Sequence, residues 1–154
     1  MKNTVPDEVL QKIALAARSS TLYAYVADTV SRRFRSVHNM SSVLVSDCVL
    51  LNLVLNKDIT PTSADKIITS VRRTSRSLYT TVDSAYFPIE DRFTEYAEQI
   101  LGSDYEKYKD MRTTNFIVFV MSLDISRTHK INRNEVLTLA LDFDELKRYS
   151  FLLE

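Results

Sequence analysis

The chain has 154 residues, of which 45% are hydrophobic and 26% charged, and its formal net charge is zero. A chain of this size can bury a core without disulfides or a structural metal, and its composition excludes wholesale disorder. A single glycine, Gly102, excludes Gly-rich phosphate-binding loops and disfavours the hairpin turns of a β protein.

We therefore expect one helical domain spanning residues 1–154, with the helices joined by short polar turns. The only cysteine, Cys48, lies in the apolar run 43–55, so we expect a buried thiol and a reducing compartment. Pro6, Asp7 and Glu8 interrupt any signal-peptide core, and no apolar run approaches the ~20 residues that span a bilayer. These features predict a soluble cytoplasmic protein with no membrane partner.

The first three predicted helices include the one that we expect at the centre of the fold. Helix one covers about 6–18, and helix two covers about 20–37 with an apolar stripe at helical spacing. Ser41 or Ser42 caps helix three, which ends near Leu55. Because this helix is apolar on most sides, we predict an all-α compact bundle of about six to seven helices around a central helix at about 42–55.

The remaining segments also show helical periodicity. Ser63 is predicted to cap helix four, Phe87-Pro88 to break the chain after it, and Gly102 to end helix five. The expected helices cover about 63–86, 89–101, 103–110 (short and polar), 114–124 and 132–151.

Charge is unevenly distributed between the two halves of the chain. Residues 1–82 carry 11 Lys/Arg and 6 Asp/Glu, whereas residues 83–154 carry 9 and 14. The halves could pack on each other or on a second copy of the chain, which would give a homo-oligomer. Alternatively, a basic face could bind nucleic acid or an acidic partner.

One segment has the ligand spacing of a metal-binding loop. In residues 124–135, positions 1, 3, 5, 7, 9 and 12 can each offer an oxygen: Asp124, Ser126, Thr128, Lys130 through its carbonyl, Asn132 and Glu135. With its apolar flanks, the segment resembles an EF-hand over residues 116–143, which implies weak calcium binding as the one cofactor hypothesis. His129 stands where that family has Gly. The alternative is a plain helix–turn–helix, with Asn132 and Glu135 forming a capping box.

Arginines cluster on helices two and four. Arg72, Arg73 and Arg76 share one side of predicted helix four, opposite its apolar stripe, and Arg32 and Arg35 lie near the end of helix two. These five arginines could bind nucleic-acid phosphates or an acidic partner. Zero net charge and a pI of about 6.7 disfavour a dedicated nucleic-acid binder, so a solvated face is the alternative.

A second short pattern joins Arg33 and His38. The spacing Arg33-Phe-Arg-Ser-Val-His38 resembles the R-x4-H signature of HEPN-type ribonucleases, which are also all-helical. The resemblance implies that Arg33 and His38 would polarise the phosphate and activate the ribose hydroxyl. The alternative is an ordinary helix end.

The C-terminal residues combine aromatic and aliphatic side chains. Tyr149, Phe151, Leu152 and Leu153 either close the core or form a tail that enters a partner's groove. Together, the patterns favour a non-enzymatic protein-interaction or regulatory protein that acts through a helix face or this tail on another protein. The alternatives are a nucleic-acid-binding module, a weak calcium binder and a HEPN-like ribonuclease.

Overall fold

A computed structural model of the chain describes residues 6–35, 41–74, 88–140 and 143–148. Within these ranges, the side chains of residues 7, 72–74, 140, 143, 145 and 146 are not described. Every regular element in the described ranges is helical, which confirms the predicted all-α bundle. The α-helices are α1 (Asp7–Ala17), α2 (Thr21–Arg33), α3 (Ser42–Leu55), α4 (Pro61–Thr74), α5 (Asp91–Leu101), α6 (Tyr105–Tyr108), α7 (Thr113–Thr128), α8 (Arg133–Ala140) and α9 (Phe143–Arg148).

The helix α3 is the centre of the bundle, as its apolarity predicts. Ser41 caps it, because the Ser41 hydroxyl accepts a hydrogen bond from the Leu44 N–H at 3.1 Å. Every residue from Leu44 to Leu55 is buried. The helix packs against α1, α2, α4, α7 and α8, so its side chains face neighbours on all sides.

The helix α7, which was predicted at 114–124, is a second buried helix, and its burial was not predicted. Its residues from Thr113 to Ser122 are all buried, although several of them are polar. Asn52 of α3 donates to the Ser122 hydroxyl at 3.1 Å, and Asn115 donates to Asp65 of α4 at 3.0 Å. Because neighbouring helices satisfy these polar groups, they are tolerated in the interior.

Two helix boundaries differ from the prediction because of local backbone chemistry. The helix α2 ends at Arg33 rather than near residue 37, since Phe34 has an extended backbone with φ −131° and ψ 130°. The helix α4 begins at Pro61, which fits a first helical position. The Thr60 hydroxyl accepts from the Ser63 N–H at 3.1 Å, and the Ser63 hydroxyl accepts from the Thr60 N–H at 3.0 Å. Ser63 therefore lies in the first turn, and Thr60 is the cap.

The other boundaries show one confirmation and one extension. The helix α5 ends at Leu101, and the capping residue Gly102, which has a φ of +56°, begins a 3-10 turn that runs to Asp104. This left-handed conformation favours glycine. The helix α7 continues to Thr128, four residues beyond the predicted end, because the fully buried Ile125 anchors its final turn. Predicted helix seven falls on α8 and α9, and the predicted part of helix four beyond Thr74 lies outside the described residues.

The two halves of the chain pack together through apolar side chains. The principal contacts between them join α1 to α8 and α3 and α4 to α7. Three ion pairs in the described ranges, Arg18–Asp47, Arg32–Asp28 and Lys109–Glu106, each lie within one half. Hydrophobic burial, together with the Asn52–Ser122 and Asn115–Asp65 hydrogen bonds, joins the halves in the described part of the bundle. None of the described helices has the length and apolarity required to cross a bilayer.

Candidate functional site

The end of α2 presents two arginines on one side of the chain. Arg33 is the last helical residue, and Phe34 beside it is extended. Successive side chains of an extended segment point in opposite directions. Phe34 is accordingly buried in the core, while Arg33 and Arg35 are both exposed. Hereafter, the arginine pair means Arg33 and Arg35.

A buried tyrosine fixes the position of Arg33. The Arg33 guanidinium carbon lies 4.7 Å from the centre of the Tyr96 ring, a cation–π contact between α2 and α5. The Tyr96 hydroxyl donates to Asp124 Oδ2 of α7 at 2.5 Å. Tyr96 is 4% exposed, so three helices define the orientation of its ring.

The electrostatic environment keeps the Tyr96 hydroxyl protonated. Burial raises its pKa well above the ordinary 10.0, and the hydrogen bond to Asp124 and the charge of that carboxylate raise it further. Arg33 and Arg32 oppose this effect more weakly. A phenol in this environment donates a hydrogen bond and is unsuited to act as a base or nucleophile near neutral pH.

The arginine pair retains its hydrogen-bonding capacity. Within the described part of the chain, neither guanidinium makes a hydrogen bond or an ion pair. Arg32 differs, because its Nε contacts Asp28 Oδ2 at 3.2 Å. A guanidinium carries five N–H donors in a planar fork that matches a carboxylate or a phosphate.

A small apolar cleft lies between the two arginines. Its volume is about 20 Å³, enough for one water or one methyl-sized group. Drug-sized ligands require roughly 300–1,000 Å³. The lining residues are Arg33, Phe34, Arg35, Pro88, Ile89, Glu90, Phe93 and Ile117. The cleft can therefore accept the tip of a side chain.

Further contacts join the end of α7 to α2 and α5. The Tyr25 and His129 rings stack with centroids 4.5 Å apart, and the Tyr25 and Thr128 hydroxyls lie 3.2 Å apart. Arg127 donates to the Ile100 carbonyl at 2.9 Å. The first two contacts join α2 to the end of α7, and the third joins α7 to α5.

The predicted calcium ligands do not share one loop. Asp124, Ser126 and Thr128 belong to α7, where the Ser126 and Thr128 hydroxyls donate to carbonyls of the same helix. Lys130 is exposed, and Asn132 caps α8 by accepting from the Glu135 N–H at 3.0 Å. An EF-hand requires these positions to turn around the ion, so this helical geometry differs from the one the resemblance implies. The described residues contain no group of three or more His, Cys, Asp or Glu placed to hold a metal.

The remaining predicted site residues divide into three groups. Arg32, Arg33 and Arg35 lie together at the end of α2. Arg72 and Arg73 belong to α4, but their side chains are not described. The others lie outside the described residues, and their roles stay predictions: His38, Arg76, Tyr149, Phe151, Leu152 and Leu153.

The sequence did not predict that Tyr96 positions Arg33. Its helical spacing with Phe93 and Ala97 indicated only a core residue, and nothing local linked it to Arg33 or Asp124. Arg33 is exposed and lies over the Tyr96 ring. No family model matches the chain, and neither a curated protein nor a solved structure matches it. The function is therefore inferred from the geometry of this chain.

Proposed function

We propose that this chain is a protein-interaction module that binds another protein through the end of α2, with Arg33 and Arg35 as contact residues. One observation carries the proposal: the Arg33 guanidinium is positioned over Tyr96, while its N–H donors make no hydrogen bond within the described residues. The chain thus presents a fixed donor group at its surface, beside an apolar cleft.

Physical chemistry explains why such a group suits an interface. Arginine is enriched among the residues that contribute most binding energy, partly because its fork is already planar. Binding normally costs entropy as a long side chain is ordered. The Tyr96 ring restricts Arg33 before a partner arrives, so less of this cost remains at the moment of binding.

The surrounding charge favours a protein partner over nucleic acid. The cleft between the arginine pair is also lined by Glu90. Its lining therefore carries only one net positive charge. Nucleic-acid binding depends on many phosphate contacts, which a site with so little net charge does not supply.

Affinity capture from the native host tests this proposal. The double variant Arg33→Ala/Arg35→Ala is compared with wild type and with Lys57→Ala/Lys66→Ala, which removes two exposed positive charges elsewhere. We expect partner proteins that wild type and the lysine control retain equally, and that the arginine variant retains about tenfold less. Equal retention by all three forms would contradict the proposed surface.

A further inference from the structure

We infer that the cleft at the end of α2 recognises an acidic peptide segment, in which a Glu or Asp carboxylate is paired with the arginine pair and an adjacent small aliphatic side chain enters the cleft. This inference rests on the proposed function, since it names the chemistry of the partner at the same surface. Its elements are the donors of Arg33 and Arg35, the net charge of the cleft lining and the size of the cleft.

The charge around the cleft matches a single carboxylate. Two arginines and one acid, Glu90, line it, which leaves one net positive charge at the site. Arg32 is already engaged by Asp28. A carboxylate satisfies the fork of Arg33 with two parallel hydrogen bonds. A phosphate chain would bring several further negative charges that this single net positive charge does not balance.

The dimensions of the cleft select the neighbouring side chain. Its inner wall contains Phe34, Phe93 and Ile117, which are 6%, 3% and 2% exposed. A volume of about 20 Å³ admits one methyl group of valine or alanine. A leucine or an aromatic ring would have to displace closely packed core side chains, which is unfavourable. The segment is therefore defined by a carboxylate and a small aliphatic residue.

The contact with Tyr96 orients the Arg33 guanidinium for binding to a carboxylate. The guanidinium carbon lies over the Tyr96 ring, and the Tyr96 hydroxyl is hydrogen-bonded to Asp124. Lysine has a point charge on a flexible stem and cannot reproduce a two-point contact with a carboxylate. Arg33→Lys should therefore weaken peptide binding even though the charge is kept.

Nuclear magnetic resonance of the full ¹⁵N-labelled chain, observing the arginine Nε–H signals, provides the test. The probe is acetyl-Gly-Val-Glu-Gly-amide, the Gln peptide of the same shape is its neutral control, and a ten-nucleotide oligodeoxyadenylate represents the polyanion. We expect saturable shifts of the Arg33 and Arg35 signals with the Glu peptide, and roughly tenfold weaker binding of the Gln peptide.

Variants link the binding to this cleft. Arg33→Ala should weaken binding of the Glu peptide about tenfold, Arg33→Lys should also weaken it, and Lys66→Ala should leave it unchanged. Far-UV circular dichroism checks the folding of each variant. If Arg33→Ala does not fold, Arg33→Lys still provides the comparison, because it keeps the aliphatic stem and the charge.

Three results would overturn the inference: no saturable shift at millimolar Glu peptide, equal binding of the Glu and Gln peptides, or tighter binding of the oligonucleotide. Each of these leaves the proposed function to its own test. If the arginine double variant still loses host proteins, the surface is an interface whose partner has a different chemistry. If the Glu peptide binds but no host protein is lost, the proposed function fails.

Discussion

At the scale of single residues, the side chain of Tyr96 makes one contact inside the protein and one at its surface. Tyr96 is buried, donates to Asp124 and supports Arg33 at the surface. A hydrogen bond to an ionised acceptor is stronger than a neutral one, and a buried hydroxyl without a partner would be unfavourable. The same side chain therefore stabilises the packing of α5 on α7 and orients the candidate contact residue.

Tyr96→Phe keeps the ring beneath Arg33 but removes the bond to Asp124. We expect the free energy of unfolding to fall by about 1.5–3 kcal/mol, the range for hydrogen bonds to charged groups. Chemical denaturation measures this loss. Tyr25→Phe is the matched control, because its hydroxyl contact is exposed, and its change should stay within about 0.5 kcal/mol. Equal effects of the two substitutions would contradict the importance of the Asp124 bond.

Asp47 shows a different balance between burial and charge. Its side chain is 1% exposed and accepts from Arg18 Nη2 at 2.7 Å. Burial raises the Asp47 pKa above its ordinary 3.8, and the hydrogen bond and charge of Arg18 only partly oppose that effect. The energetic cost of desolvating the Asp47 carboxylate therefore exceeds the energy gained from its ion pair with Arg18.

The raised pKa predicts how stability depends on pH. The folded protein holds the Asp47 proton more tightly than the unfolded chain, so this group favours folding below pH 3.8. That contribution is lost as the pH rises through the higher pKa of the folded state. Asp47→Asn cannot titrate, so it should gain stability relative to wild type as the pH rises above 3.8.

Urea unfolding of both proteins from about pH 3 to about pH 7 measures this difference. Asp28→Asn is a suitable control, since Asp28 is exposed. If Asp47→Asn instead became relatively less stable with rising pH, the pKa of Asp47 would have to be lowered in the folded state.

At the scale of helices, a polar pair aligns the two buried helices. The side-chain amide of Asn52 in α3 donates to the Ser122 hydroxyl of α7 at 3.1 Å. The Oδ1 atom of Asn52 accepts a hydrogen bond from the Asn56 side chain at 3.0 Å. Both Asn52 and Ser122 are fully buried. A buried hydrogen bond favours one alignment of two helices, because other alignments leave its polar groups without partners. The pair therefore specifies how α3 lies along α7.

A double-mutant cycle tests this pairing. Ser122→Ala leaves a buried Asn52 donor without its acceptor and should lower the free energy of unfolding by about 1–3 kcal/mol. Asn52→Leu/Ser122→Ala removes both polar groups, so its loss should be about 1 kcal/mol smaller than the sum of the single losses. Ser126→Ala on the exposed face of α7 is the control. Simple additivity would show that the two side chains are not coupled.

At the scale of the whole molecule, stability should follow depth within the bundle. The helices α3 and α7 are buried along most of their length, whereas α6 is four residues long and has no buried residue. Regions with many buried contacts open only in nearly global unfolding, and short exposed helices open locally. The apolar contact between the halves places the most stable part where α3 meets α7.

Native-state hydrogen exchange measures this order. We expect the slowest backbone amides between Leu44 and Leu55 of α3 and between Phe116 and Ile125 of α7, with exchange approaching the rate of global unfolding. Amides of α6 should exchange much faster. If α3 exchanged as quickly as α6, the central position of α3 in the folded protein would be wrong.

The sequence predicted the local features well. Apolar residues at intervals of three and four identified the helices, uniform apolarity identified α3, and capping residues such as Ser41, Asn132 and Gly102 marked helix ends. It predicted the helix at 114–124 but not the burial of α7, because Thr113–Asn115 and Ser122 interrupt its apolar pattern. Of the candidate site, the sequence indicated the arginines but not the tyrosine that positions one of them.

There is a physical reason why some features could be predicted from the sequence and others could not. Helix formation, capping and the burial of one apolar face depend on residues within about one turn of each other, so this chain's sequence determined them by itself. The contact of Arg33 with Tyr96, and of Tyr96 with Asp124, joins residues far apart in the chain. Only the docking of α2, α5 and α7 onto a shared core brings those groups within reach, and so only the tertiary structure decided where the candidate site lies.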